Sequence, residues 1–441
     1  MDQNPTDLYE HLIYGKPLNF NNFPLADPSF MKTQELLFKR YFKVYMKMKN
    51  PLVYRRYLNN IFNPPGIEKD HTHNMNLLQE YLKESDQYVE DILSLIPSEY
   101  RKSLELVPKT KFTNDLFQLL ETCFRSKDKR EIYEAQRKLC LTKAFFVIDG
   151  TKNIKDGKKH MKFFDKTLNN YLWLMDEKIQ DKEIHYRTGK SGIKLVDETK
   201  GDDIASFMFR SRKAQLHFDS TYYYKPIDIY HYKIRFKREY SSPHMLSRNV
   251  MDLFKEKSSS VNLVKRRRSS SILSKMIRKG IDSPVKINDI LGVMFIVKER
   301  KDVYKLANIL ETLFSGPFSW DDVVDTISNL GDKKLLNKYT GKGYQVFKTA
   351  LSILYPENIL REDYYLFSTE VQIYTIEGYL KTIHSTHFAS HRRLKTRQII
   401  FGVLPYLFPK EIYGTEILQK ILNDFIYRDN INTQQYLQNK K

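Results

Sequence analysis

The sequence predicts an α+β fold, with a helical N-terminal domain followed by a domain built on a mixed sheet. Three observations predict it. Gly and Pro are scarce, 16 of each in 441 residues, which favours long helices over a loop-rich β architecture. Apolar residues recur at helical spacing through residues 31–183. Near residue 184 the pattern turns to the period of two expected of strands.

Composition supports a packed protein, with 41% hydrophobic and 13% aromatic residues beside 29% charged ones. Lys plus Arg number 73 against 53 Asp plus Glu, a formal charge of +20. That excess favours polyanionic partners such as nucleotides, RNA, DNA or an acidic membrane surface, although a Lys-rich codon bias is a plainer source. Cys123 and Cys140 are the only cysteines, too few for a zinc ribbon or a disulfide framework. No basic region followed by an apolar run opens the chain, and no apolar stretch is long enough for a membrane span. A cytoplasmic or nuclear protein is expected.

Residues 1–30, mixed polar and aromatic with several prolines, read as an irregular arm. The helical domain over 31–183 has a break at Asn63-Pro64-Pro65-Gly66. Its strongest helix is expected over 75–96, where Leu78, Leu82, Tyr88, Val89, Ile92 and Ile96 fall on one face and Pro97 ends the run. Asp115 in Thr113-Asn114-Asp115 looks like a helix start, and further helices are expected over 128–145 and 159–177. A strand-containing connector follows over 184–254, with Ile193–Val196, Ser206–Phe209 and Ile229–Phe236 as strands. Here Tyr222, Tyr223, Tyr224, Tyr230 and Tyr232 interleave with Lys225, Lys233, Arg235 and Lys237, which suits either half-buried sheet or stacking on bases. A mixed α/β domain is expected over 255–400 and a helical tail over 401–441.

The chemistry-bearing residues cluster in the 255–400 domain. Asp289 opens an apolar, β-branched run through Val297, as a buried central strand would. Thr369 to Thr375 alternates, so Glu370 and Gln372 share one face of a strand. Two carboxylates on two strands could hold Mg²⁺, which is commonly bound by one or two carboxylates together with substrate phosphates. Between them, Gly343 permits a tight approach, Tyr344 offers a ring for stacking, and lysines offer charge for phosphate. Upstream, Lys265-Arg266-Arg267-Arg268 precedes Ser269 to Met276, four cations beside a helix N-terminus, which suits phosphate.

In this order the motifs resemble the RelA/SpoT-type (p)ppGpp synthetases. The sequence carries a basic segment, then Ser271-Ile272-Leu273-Ser274-Lys275-Met276, then Asp289-Ile290-Leu291-Gly292-Val293, Gly343-Tyr344-Gln345 and Glu370-Val371-Gln372-Ile373-Tyr374-Thr375, with Ala389-Ser390-His391 and its basic residues after them. The resemblance covers about a third of the chain and implies a nucleotidyltransferase-like domain that moves pyrophosphate from ATP to the 3′-hydroxyl of GDP or GTP. It implies Asp289 and Glu370 as Mg²⁺ ligands, Glu370 also helping to activate the hydroxyl, and Tyr344 stacking on the acceptor base. Lys265, Arg267 and Lys275 fall where ATP contacts occur, Lys338 and Lys342 lie in a phosphate-binding loop, and Gln372 and His391 complete the binding set. Some toxins of the family modify the 3′ end of tRNA instead, so RNA or tRNA is the alternative acceptor.

Two departures stand out. The family's Arg after the Asp-bearing strand start is replaced by Met294, and Phe347 is read at the His of Gly-Tyr-x-Ser-x-His. Neither side chain donates a hydrogen bond to phosphate, so a catalytically inactive nucleotide- or RNA-binding regulator is the third expectation. Glu377 could supply the acidic residue often found on the helix after the last strand.

Other signals are set aside. Asp70-His71-Thr72-His73 reads as a loop and not as a hydrolase metal site. Thr188-Gly189-Lys190-Ser191-Gly192 lacks the upstream Gly of a P-loop and reads as a polar turn. His384, His387 and His391 share a helical face but lack a fourth zinc ligand. The basic, serine-rich segment also resembles a kinase or nuclear-localisation patch.

Overall fold

The computed structural model describes residues 50–62, 70–174, 177–189, 192–199, 203–236, 270–281, 283–314, 320–328, 344–358, 362–383 and 391–425, with a few isolated positions between them. The described chain forms two units, each discontinuous in sequence. A helical unit takes residues up to 150, 270–286 and 398–425; a sheet unit takes 151–236 and 287–397.

The principal helices in chain order are α1 (Pro51–Phe62), α2 (His71–Leu93), α3 (Ser98–Leu104), α4 (Leu116–Arg125), α5 (Lys129–Gly150), α6 (Gly157–Tyr171), α7 (Ser270–Lys279), α8 (Arg300–Phe314), α9 (Ile376–Ile383) and α10 (His391–Gly402). The strands are β1 (Gln180–Gly189), β2 (Gly192–Val196), β3 (Ile204–Phe218), β4 (Thr221–Phe236), β5 (Leu291–Val297), β6 (Asp321–Asp325), β7 (Phe347–Asn358) and β8 (Asp363–Thr375).

In the helical unit the apolar face of α2 behaves as its spacing demands, with Leu78, Leu82, Tyr88, Val89 and Ile92 buried. The helix begins at His71, so Asp70 is its N-cap position and His71-Thr72-His73 form its first turn, where the sequence suggests a loop. Asp115 caps α4 by accepting the Gln118 N–H at 2.9 Å. Leu58, Leu82, Leu116, Leu119, Leu120, Cys123, Leu139 and Cys140 make one core. Both cysteines are free and buried, and burial pushes their thiols up. Arg137, itself buried, donates to the Leu407 carbonyl and to Tyr413 Oη (3.1 Å), and Tyr413 in turn donates to Glu134 (2.8 Å). These bonds tie the C-terminal segment to α5. Helix α7 joins the same unit through its buried Ile272, Leu273, Met276 and Ile277 and through the Tyr88–Ser274 hydroxyl pair at 2.8 Å.

The sheet unit is one eight-stranded mixed sheet in the order β2-β1-β3-β4-β5-β8-β7-β6. Strands β1–β4, which the sequence sets in a connector, are therefore hydrogen-bonded into the same sheet as β5–β8, through the antiparallel β4–β5 pair. The β5–β8 pair is parallel; parallel neighbours need a long crossover, here the stretch containing α8, β6 and β7. Gly189 and Gly192 are the last pair of the β1–β2 hairpin; Lys190 and Ser191 of the expected polar turn lie outside the described residues. The tyrosines of β4 divide: Tyr222, Tyr223 and Tyr224 are exposed near the β3–β4 turn, whereas Tyr230 is buried.

One sheet face is sealed by α6 and α8. Phe295, Val371 and Ile373 are fully buried there, and Phe164 of α6 stacks on Phe314 of α8 at 4.6 Å. Tyr232 donates to Asp165 of α6 at 3.0 Å, and a Cβ at Gly157 would strike the Phe236 ring, so α6 lies hard against β4. On the opposite face α9 covers Tyr230, Ile296 and Tyr374 with Ile376 and Leu380. Among the described residues, no helix is long and apolar enough to cross a membrane.

Candidate active site on the polar face of the sheet

Strand register assembles the site. Gly292 of β5 is level with Arg235 of β4 on one side and Glu370 of β8 on the other. One step along the same face, Met294 is level with Lys233 and with Gln372. On β7, Lys348 is level with Gln372 and Ala350 with Glu370. Registered side chains share a face, so Lys233, Arg235, Met294, Lys348, Glu370 and Gln372 gather on one face across four strands. Asp289 sits half-buried in the turn just ahead of β5, at the end of the strand where Gly292 meets Glu370.

Gly292 gives this face its shape. A Cβ built there would meet nothing within 4 Å. A glycine inside a central strand weakens it and commonly marks a close approach by a ligand or another backbone. Here it leaves open space between Arg235 and Glu370.

A hydrogen-bonded string runs from that space toward α9. Lys348 forms an ion pair with Glu370 Oε2. Gln372 Nε2 donates to Glu370 Oε1 at 2.6 Å, and Tyr374 Oη donates to Gln372 Oε1 at 3.0 Å. The Tyr374 and Tyr344 hydroxyls are 2.9 Å apart, with ring centroids at 6.3 Å and planes at 80°. Burial opposes the charge on Lys348, but the Glu370 carboxylate beside it and the field of Asp289 outweigh that, so its pKa is raised. Burial raises the Tyr344 and Tyr374 hydroxyls, keeping both neutral donors or acceptors. On β4, burial and the neighbouring Arg235 lower Lys233, and burial together with Lys233 and Arg235 lowers His231. The face therefore combines two carboxylates with three cations.

Helix α9 closes one end of the site. A Cβ at Gly378 would come within 2.9 Å of the Gln345 carbonyl oxygen, so this glycine permits α9 to pack on the segment carrying Tyr344. Lys381 is 3.4 Å from Gln345 Oε1 and pairs with Glu377 at 2.7 Å. Glu377, an acidic residue at the start of α9, is thus engaged in an ion pair along its own helix.

The structure brings together Asp289, Glu370, Gln372 and Tyr344. Lys275 is half-buried on α7 and belongs to the helical unit. His391 is the first residue of α10, and its side chain lies outside the described residues. Lys265, Arg267, Lys338, Lys342, His384 and His387 also lie outside them.

Phe347 faces away from the site. Its ring packs on the sealed face, against Tyr304 at 6.2 Å and Trp320 at 6.1 Å. Counting Gly-Tyr-x-Ser-x-His from Gly343 puts the sixth position on Lys348, not on Phe347. The position thought to lack a donor carries a lysine ion-paired to Glu370. Lys233 and Arg235, which the sequence sets in a base-stacking stretch of the connector, stand in this site instead. Their signal is the alternation in Tyr232-Lys233-Ile234-Arg235-Phe236, which puts both cations on one strand face; that β4 lies beside β5 was not readable from it.

No protein-family model matches the chain, and no curated protein sequence matches it. Solved structures do. The small alarmone synthetase 1 of Bacillus subtilis bound to its product pppGpp is 18% identical, over 30% of this chain and 64% of that one, with a TM-score of 0.20. The small alarmone synthetase 2 of Bacillus subtilis is 19% identical, over 46% of this chain and 77% of that one, with a TM-score of 0.22. A GTP pyrophosphokinase family protein from Streptococcus pneumoniae is 17% identical, over 44% of this chain and 89% of that one, with a TM-score of 0.21. The chain is similar to these synthetases over part of its length, and it spans 64% of the length of the first of them.

Proposed function

We propose that the sheet unit binds ATP and a guanine nucleotide and moves a pyrophosphate group from ATP to the acceptor's 3′-hydroxyl, releasing AMP. One observation carries the reading. Glu370 is held at both carboxylate oxygens, by Lys348 and Gln372, beside open space at Gly292 that Arg235 and Asp289 border. Transfer of a phosphoryl-type group needs positioned cations and a fixed anion more than covalent help from the protein.

The donor set fits Mg²⁺. Asp289 and Glu370 supply hard carboxylate oxygens, the space at Gly292 admits a ligand, and substrate phosphates complete such a site. Bound there, the ion would neutralise charge building on the transferred phosphates. The chain's own residues do the rest. Arg235 and Lys233 hold ATP phosphates from β4, and Lys348 holds them from β7. Glu370 accepts a hydrogen bond from the acceptor hydroxyl and fixes its approach. Tyr344, steadied by Tyr374, offers its ring to the acceptor base. Lys338, Lys342 and His391 are proposed as further phosphate contacts on the resemblance alone.

Met294 favours a second reading, a nucleotide-binding regulator without turnover, because it puts a thioether on the same face as Gln372 and Lys233. One experiment separates the two. The purified chain is incubated with Mg²⁺, ATP labelled on its terminal phosphates, and in turn GDP, GTP, AMP and tRNA. Label on GDP or GTP supports the proposal, and label on tRNA alone moves the acceptor to RNA. Nucleotide binding without transfer to any acceptor establishes the regulator.

A further inference from the structure

We propose that Lys348 is a tethered cation that swaps partners, paired with Glu370 when no nucleotide is present and with a substrate phosphate when one is, so that nucleotide entry releases Glu370 for Mg²⁺. The inference rests on the function proposed above for this face.

Three observations carry it. Lys348 and Glu370 are an ion pair across neighbouring strands, and Lys348 is also within the field of Asp289. One ammonium thus serves the same two carboxylates that would hold a divalent cation. The other Glu370 oxygen is bound by Gln372 Nε2 at 2.6 Å, so a metal approaching Glu370 meets a donor at each oxygen, one of them a cation that repels it. The ammonium is the mobile member. Gln372 is fixed from behind by Tyr374 at 3.0 Å, whereas Lys348 ends a flexible four-carbon stem anchored on β7. The open space at Gly292 lies beside Glu370, the carboxylate that the ammonium holds. A phosphate seated there offers more negative charge than a single carboxylate and draws the ammonium to it.

Such a swap orders ligand binding. Divalent ions bind weakly to the carboxylates while the ammonium holds Glu370, and binding tightens once phosphates take it. Free nucleotide and metal therefore bind with positive coupling.

The test uses two binding measurements on the full chain, neither of which needs turnover. Mn²⁺ alone is titrated by electron paramagnetic resonance, and ATP in EDTA is titrated by equilibrium dialysis. For Lys348→Met the effects have opposite signs: Mn²⁺ binds at least about tenfold tighter, the scale of removing a like charge a few ångströms away, and metal-free ATP binds at least about tenfold weaker. Lys348→Arg keeps both affinities near the parent's. A merely structural lysine would lower both affinities when removed, and that result overturns the proposal. So does a change in only one affinity, or in neither. Glu370→Gln separates this failure from failure of the functional reading. If it leaves Mn²⁺ affinity unchanged, Glu370 is not a metal ligand and the site reading falls. If it weakens Mn²⁺ while Lys348→Met has no effect, only the swap falls.

Discussion

The two faces of the central sheet are built from alternate residues of the same strands, yet they are made for opposite ends. Along β5, Val293, Phe295 and Val297 are buried against α6 and α8, while Gly292 and Met294 on the other face border a cluster of charge. Along β8, Val371 and Ile373 join the first set, and Glu370 and Gln372 the second. One face gives stability through area removed from water. The other keeps charged groups half-buried or exposed, with Lys348 and Glu370 paired across neighbouring strands. Function and stability are separated here by one residue of strand register, and variants can break that separation on either face.

The largest effect is expected from the polar face. Glu370→Gln lowers any pyrophosphate transfer on the order of 10³-fold, the scale of losing a group that acts on transition-state charge, and Asp289→Asn does the same. Thermal unfolding followed by circular dichroism stays near the parent's, because neither change opens the sealed face. Retained transfer in either variant would falsify the assignment of the carboxylates.

The sealed face gives the converse. Phe295 is 0% exposed, so Phe295→Ala should cost about 3–5 kcal/mol, read as a lower midpoint in urea at unchanged slope. A loss below about 1 kcal/mol would mean that the face is not packed as described.

Gly292→Val sharpens the contrast within one strand. A Cβ there meets nothing within 4 Å, so the branch point of a valine is unobstructed, and the β-branched residue should leave stability unchanged or improve it by up to about 1 kcal/mol. It also fills the ligand space, so ATP affinity falls about tenfold or more, equivalent to about 1.4 kcal/mol. Unchanged ATP affinity would place the nucleotide elsewhere.

The smallest effect concerns pH. His160 on α6 stacks on Phe367 at 4.3 Å and shares a 2.5 Å hydrogen bond with Tyr365. Burial lowers its pKa from 6.5 to about 4. Between those values the unfolded chain holds the proton and the folded chain does not. The stability this residue protects is therefore complete above pH 6.5 and is lost as pH falls toward 4. Urea midpoints taken at about pH 7, 5.5 and 4.5 should fall in that order for the parent and fall less for His160→Gln. Equal slopes would assign the acid sensitivity to other groups.

Much of this was legible in the sequence where the signal is local. The α2 face from Leu78 to Ile92 follows from helical spacing, and Asp115 caps the helix that its place before Leu116 suggests. Asp289 ahead of an apolar run and Glu370 within an alternating one mark their strands. The start of α2 at His71 was hidden, since a polar first turn carries no apolar periodicity. The share of the site that came through was the share carried by motifs: Asp289, Glu370, Gln372 and Tyr344. That Lys233 and Arg235 stand beside β5, and where Lys348 points, did not come through, because each matters only through the strand beside it.

The sequence by itself determined which residues alternate, which helices are amphipathic, and that two carboxylates stand on two strands. These follow from spacing along one segment, where a side chain's direction repeats every two or 3.6 residues. Only the tertiary structure decided that β4 borders β5 across residues outside the described chain, that Lys348 faces Glu370 while Phe347 turns to the sealed side, and that α7 with Lys275 belongs to the helical unit. Those outcomes depend on which distant segments pair and in what register, a choice made by burial of whole faces and not by any one stretch of chain.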